Sequence, residues 1–287
     1  MAYTSEGFAR TTGWIPTSSR VARRLIALVA SGLAFFGVAC ACEMRPLERV
    51  RVVDVEPGFV LRVADGHALR LVGLEAPDSW QARAREALRG WLADRDIEVE
   101  SLGPLDRWNR LPVRARASVP GAAAGAPPLD LAPAILEAGL ARALPGPETR
   151  GCFAPLAAAE SSARAALLGL WADPYYAVIA ARDRPGLVAR PGQMVLVEGQ
   201  ARSVSELGQR TYVNFGERRA GDFSVMISGQ TRKLFESAGH SLPALVGRGL
   251  RIRGILDTRF GPRIDVVDPD QIEFMQAGEA AGAGEHR

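Results

Sequence analysis

Residues 50–78 read VRVVDVEPGFVLRVADGHALRLVGLEAPD. Residues 50–55, 59–64 and 68–72 of this stretch alternate apolar and polar side chains at the two-residue period of strands with one buried face. Pro57-Gly58 and Asp65-Gly66 separate them, and both dipeptides favour tight reversals, so the stretch predicts an antiparallel β-meander. A helix-period segment follows over residues 81–93, with Ala84, Leu88, Trp91 and Leu92 on one face. Strands are expected at 97–102 and 112–119, separated by a charged loop at 106–110. Residues 121–128 (GAAAGAPP) form a loop with no capacity for a core. Two helices are expected at 131–143 and 155–170, the second ending in Gly169-Leu170-Trp171.

Pro185, Gly186, Pro191 and Gly192 mark residues 181–191 as a linker. Beyond it the pattern predicts strands at 194–201, 211–215 and 223–227, a helix at 231–238, and strands at 250–256 and 264–267. Three strands, a helix and two strands is the order of a five-stranded OB barrel, whose faces and loops bind oligonucleotides and oligosaccharides. There Arg251 and Arg253 alternate with Leu250 and Ile252, and Tyr212 shares a face with Asn214. Tyr212, Arg251 and Arg253 are therefore the candidates for an aromatic-plus-basic nucleic-acid platform, weighed against a packing or partner-docking face. The tail over residues 277–287 is rich in Gly, Ala and Glu and is expected to be disordered.

Four landmarks in order resemble the thermonuclease (staphylococcal nuclease-like) family: residues 61–78, similar to a family stretch ending V-R-L-x-G-I-D-A-P-E; Asp106-Arg107-Trp108-Asn109-Arg110, similar to D-R-Y-G-R; Glu137-Ala138-Gly139-Leu140-Ala141; and Ala159-Glu160 leading to Gly169-Leu170-Trp171. The resemblance covers roughly residues 46–175. It implies an α+β, mostly β chain: a staphylococcal-nuclease-like OB barrel with helices at 46–180, the linker, and the second OB-like barrel at 192–276.

Active members of that family hold Ca²⁺ between an aspartate of a D-G-D-T turn and the aspartate of I-D-A-P-E. The glutamate of the second motif is the general base, and two arginines stabilise charge on the phosphate. Phosphodiester hydrolysis needs this combination of activated water, Lewis acid and cationic clamps. By position the resemblance makes Arg70 and Arg110 the clamps, puts Glu75 at a metal position and Asp78 at the base position. Counting back from Arg70 through the Asp65-Gly66 hairpin puts D-G-D-T on Pro57-Gly58-Phe59-Val60, so Phe59 replaces the other metal aspartate. Phenylalanine offers no oxygen to a cation that takes six to eight, so a Ca²⁺ site is expected weak or absent. A base one methylene short, displaced by roughly 1.5 Å, also costs rate steeply. Beside these roles stand structural ones: Arg70 paired with Glu75 or Asp78, Arg110 a solvated loop charge, and His67 an exposed turn residue. Two functions follow: an impaired nuclease, or a non-catalytic tandem OB-like scaffold binding nucleic acid, envelope protein or glycan.

Charge locates the protein rather than its ligand. The chain has 35 basic and 32 acidic residues, but everything after residue 45 holds 30 of each, so the mature part lacks the basic surplus of a protein that grips nucleic acid by charge. Arg20, Arg23 and Arg24 precede an apolar stretch over residues 25–42, the pattern of an export leader, with Val21 a competing start to Met1. Three fates compete for residues 1–45: lipidation at Cys40 in a lipobox-like Gly37-Val38-Ala39-Cys40, cleavage after Ala41, or retention as a membrane anchor. Each places the fold in the periplasm or cell envelope, where Cys42 either pairs with Cys152 or Cys152 is an inert thiol.

Overall fold

A computed structural model describes Cys42, Arg45 and residues 48–118, 127–217 and 221–275; residues 1–41 of the expected leader, with Cys40, most of the expected 121–128 loop and the expected tail at 277–287 lie outside the described residues. The fold is α+β and mostly β.

The first half runs β1 (Glu48–Glu56), β2 (Val60–Val63), β3 (Ala68–Leu71), β4 (Leu74–Glu75), α1 (Asp78–Leu92), β5 (Asp96–Ser101), β6 (Arg110–Ala117), β7 (Leu129–Asp130), α2 (Leu131–Glu137), β8 (Arg142–Ala143) and α3 (Phe153–Ala165). The expected meander is present: β1 pairs with β2 and β2 with β3, all antiparallel. Strand β5 lies against β1 and β6 against β5, and β6 also pairs in parallel with β3, so the hydrogen-bonded path returns to its start. The alternating apolar residues of these strands face a common core with Ala84, Leu88 and Leu92 of α1. Trp91, expected on that helical face, is instead 38% exposed.

The helix expected at 131–143 stops at Glu137. Gly139 has φ +66° and its backbone passes so close to the Gly169 turn that a Cβ there would lie 2.1 Å from the Leu168 carbonyl oxygen. Helix α3 likewise ends at Ala165, and Leu170 N–H donates to Gly139 O at 2.9 Å. Two of the sequence landmarks are thus the two sides of one backbone crossing, which only glycine permits.

The second half runs β9 (Ile179–Ala180), α4 (Arg184–Val188), β10 (Met194–Gln200), β11 (Ser203–Leu207), β12 (Arg210–Asn214), β13 (Ser224–Ser228), α5 (Gly229–Ser237), β14 (Gly249–Asp257), β15 (Arg263–Val266) and β16 (Ile272–Phe274). They pair in the order β11-β12-β13-β15-β14-β10-β9, with β16 on β14. The expected strands and helix are all found, joined by three strands that the pattern does not announce. The largest, β11, is exposed along most of its length, so it lacks the apolar alternation by which a strand is read. The expected linker at 181–191 is corrected: it carries α4, which Asp183 caps by accepting from Gly186 N–H at 3.0 Å, and Leu187 is fully buried in the second core. Pro185 occupies the first helical turn, where the missing N–H costs nothing, so proline there marked a helix start.

The halves meet on buried charge. Arg253 on β14 is 1% exposed and donates to Glu160 Oε2 of α3 at 2.8 Å, to Ala143 O of β8 at 2.8 Å and to Glu273 of β16. Glu160 also accepts from Ala143 N–H at 2.8 Å, and Arg142 donates to Met194 O of β10. Arg253 and Glu160 are paired with opposite charge, the condition under which burial of charge is tolerated, whereas buried Arg142 is met by the Met194 carbonyl and the Tyr176 ring. No helix among the described residues is long and apolar enough to cross a membrane.

Candidate functional site

Arg70 on β3 and Arg110 at the start of β6 are brought together by the parallel β3–β6 pairing, which sets Ala68 opposite Arg110 and Arg70 opposite Pro112. Between them lies Asp106. Its Oδ1 accepts from the backbone N–H groups of Trp108 (2.9 Å) and Arg110 (3.0 Å), closing the 106–110 loop. Its Oδ2 accepts from Arg110 Nε at 2.9 Å and lies 3.6 Å from Arg70 Nε. Asn109 has φ +60°, a conformation that asparagine adopts more readily than most residues, which accounts for Asn where the similar family motif has Gly. Burial works against the Asp106 charge, but the Arg110 side chain and the N–H groups of Arg110 and Trp108 outweigh it and hold the carboxyl at about 2. Arg70 Nη2 donates in turn to Glu148 Oε1 at 2.8 Å.

The two expected clamps therefore do converge, but on carboxylates: two guanidiniums share Asp106 and Glu148. The structural partners expected for Arg70, Glu75 or Asp78, are corrected to these two, and Arg110 is an ion-paired group only about a quarter exposed, not a solvated charge. The sequence pattern marks neither Asp106 nor Glu148 as a partner, although Asp106 heads the landmark loop. At the tip of that loop Trp108 is 58% exposed, with the Arg107 and Arg110 guanidiniums 3.8 and 4.6 Å from its ring centre.

The metal positions diverge. Phe59 is 3% exposed and packs in the first core at φ +59°, its carbonyl accepting from Leu71 N–H at 3.0 Å. Glu75 on β4 faces Arg142 across the β4–β8 pair. Burial, with the nearby charges of Asp78 and Glu160, raises its pKa against the pull of Arg142, and its Oε2 has no hydrogen-bond partner among the described residues. Asp78 is exposed at the first position of α1. Among the described residues no three His, Cys, Asp or Glu side chains are placed to hold a metal ion together. A cation needing six to eight oxygens does not fit a set in which one position is a core phenylalanine and another faces an arginine. His67 is exposed in its hairpin beside Asp65 (3.1 Å), as a turn residue should be.

The platform of Tyr212, Arg251 and Arg253 is also corrected. Arg253 is sealed between the halves, and Arg251, 8% exposed, donates to Glu198 at 2.6 Å and Glu273 at 3.3 Å. Strand alternation set both arginines on one face. It carried no information on what covers that face, which at Arg253 is α3 and β8. Tyr212 is half-buried on β12, outside that network. Compared with known proteins, the chain matches no family model and no curated protein.

Proposed function

We propose that this is an exported, thermonuclease-like protein whose nuclease site has become structural, so that it acts as a non-catalytic tandem OB-like binding or scaffold protein of the cell envelope. One observation carries the reading: Arg70 and Arg110, the clamps that the resemblance assigns, are neutralised by Asp106 and Glu148 while Phe59 is locked in the core. A transition-state clamp must be available to developing phosphate charge, and here that charge would compete with two carboxylates. The closed path β1-β2-β3-β6-β5 supports an OB-like first half, and the helix α5 between β13 and β14 supports an OB-like second half. The neutral mature charge favours a partner engaged by shape and stacking, and exposed Trp108 between two arginines suits that use, since Trp and Arg dominate binding energy at many interfaces.

The impaired-hydrolase reading keeps one favourable observation, the convergence of Arg70 and Arg110. Thermal unfolding in Ca²⁺ and in EDTA, with and without a single-stranded oligonucleotide, separates the two. A ligand that binds only the folded state raises the midpoint by mass action. The expected result is the same midpoint in Ca²⁺ and EDTA; a Ca²⁺-dependent rise that grows with the oligonucleotide would restore the hydrolase.

A further inference from the structure

The two described cysteines meet around one arginine. Arg114 on β6 is fixed by an ion pair to Glu100 at 3.0 Å, and its Nη1 donates to Cys42 O at 3.1 Å and lies 3.7 Å from Cys152 Sγ. Cys42 Sγ in turn donates to the carbonyl of Gly151, the residue before Cys152, at 3.3 Å. Both cysteines are partly exposed and line the same small, mainly apolar cavity of about 100 Å³ with Leu71, Pro155 and Leu156. Gly151 has φ +77° and open space where a Cβ would stand, in the turn that presents Cys152 at the start of α3.

We propose that Cys42 and Cys152 form an intramolecular disulfide that ties the segment following the leader to the turn before α3. The oxidant is a small-molecule or protein disulfide. One cysteine sulfur attacks it and releases one thiol. The second cysteine then attacks the mixed disulfide and releases the other thiol, so two S–H groups become one S–S while the oxidant gains two electrons and two protons. The bond closes a loop of more than about a hundred residues, the length range in which a cross-link constrains the unfolded chain most. Export would supply the oxidising compartment, but the pairing itself does not depend on it. With Cys40 lipidated, the disulfide would hold the folded part against the bilayer, two residues from the anchor.

The test uses the purified full chain, reduced and then incubated with oxidised glutathione, quenched by alkylation and digested with trypsin without reductant. The expected product is one species joining peptide 25–49 to peptide 151–164, with fragmentation placing the bond on Cys42. It should persist in Cys40→Ser, vanish in Cys42→Ser, and lower the urea midpoint when reduced. Recovery of Cys42 and Cys152 as alkylated thiols or as glutathione adducts would overturn the proposal. So would a bond from Cys152 to Cys40 or to a second chain.

Discussion

Phe59 holds a left-handed backbone conformation that bulky residues avoid, at a turn where the resembling family has a metal-binding aspartate. The ring is buried in the first core and the carbonyl is bonded to Leu71, so packing and one hydrogen bond offset the local strain. Phe59→Asp therefore introduces a charge into the core and is expected to cost several kcal/mol, on the order of 3–5, as truncation of a buried phenylalanine does, without conferring cleavage. Urea unfolding with a nuclease assay on the same preparation checks both. Asp106 and Glu75 oppose each other in acid. The folded pKa of Asp106, about 2, lies below its ordinary value, so its contribution is complete above about pH 4 and disappears as pH falls toward 2. Asp106→Asn, which keeps the oxygen for the loop N–H groups, should flatten stability in that window. The raised pKa of Glu75 has the reverse sign: its contribution is complete below the unfolded value near 4.5 and is lost as pH rises through the folded one. Glu75→Gln should remove that decline, measured as the urea midpoint between pH 4 and pH 7. The residue types at these positions could be read from the chain, but their partners could not, because Glu148 lies far from Arg70 in sequence and meets it only after folding.

Elements long enough to show a repeating apolar face were readable, and short or polar ones were not. Strands β1 to β3 and helix α1 announce themselves by period, whereas β11 is polar and exposed, and α4 was hidden by the prolines that flank or start it. Leu187 fixes the status of α4: Leu187→Ala should destabilise the second half by about 2–5 kcal/mol, the range for a fully buried leucine, whereas a linker residue would tolerate the change. Chemical unfolding followed through both halves measures it. The Gly139–Gly169 crossing makes a companion case. Each glycine has positive φ and would place a Cβ on the other's backbone, so Gly139→Ala should cost at least about 1–3 kcal/mol. The landmark glycines are thus explained by packing and carry no chemistry of their own.

Arg253 joins the two halves through Glu160 of α3 and is itself tied to Glu273, which with Glu198 holds Arg251 within the second half; the described chain from Cys42 onward is one unit. Removing one member of such a network strands the rest: Arg253→Ala should cost about 3–5 kcal/mol, and both halves should lose stability together in one transition. That arrangement explains why the strongest basic pair of the second half is unavailable to a nucleic acid. It also shows why the site was only half readable. The motif string contained the arginines and Asp106, while the fold paired them and brought in Glu148. Cleavage of end-labelled single-stranded DNA and RNA by the full chain, in Ca²⁺ and in EDTA, is the decisive measurement. The expected result is intact substrate under both conditions. EDTA-sensitive cleavage that Arg70→Ala abolishes, in a variant that remains folded, would contradict a structural role for these arginines.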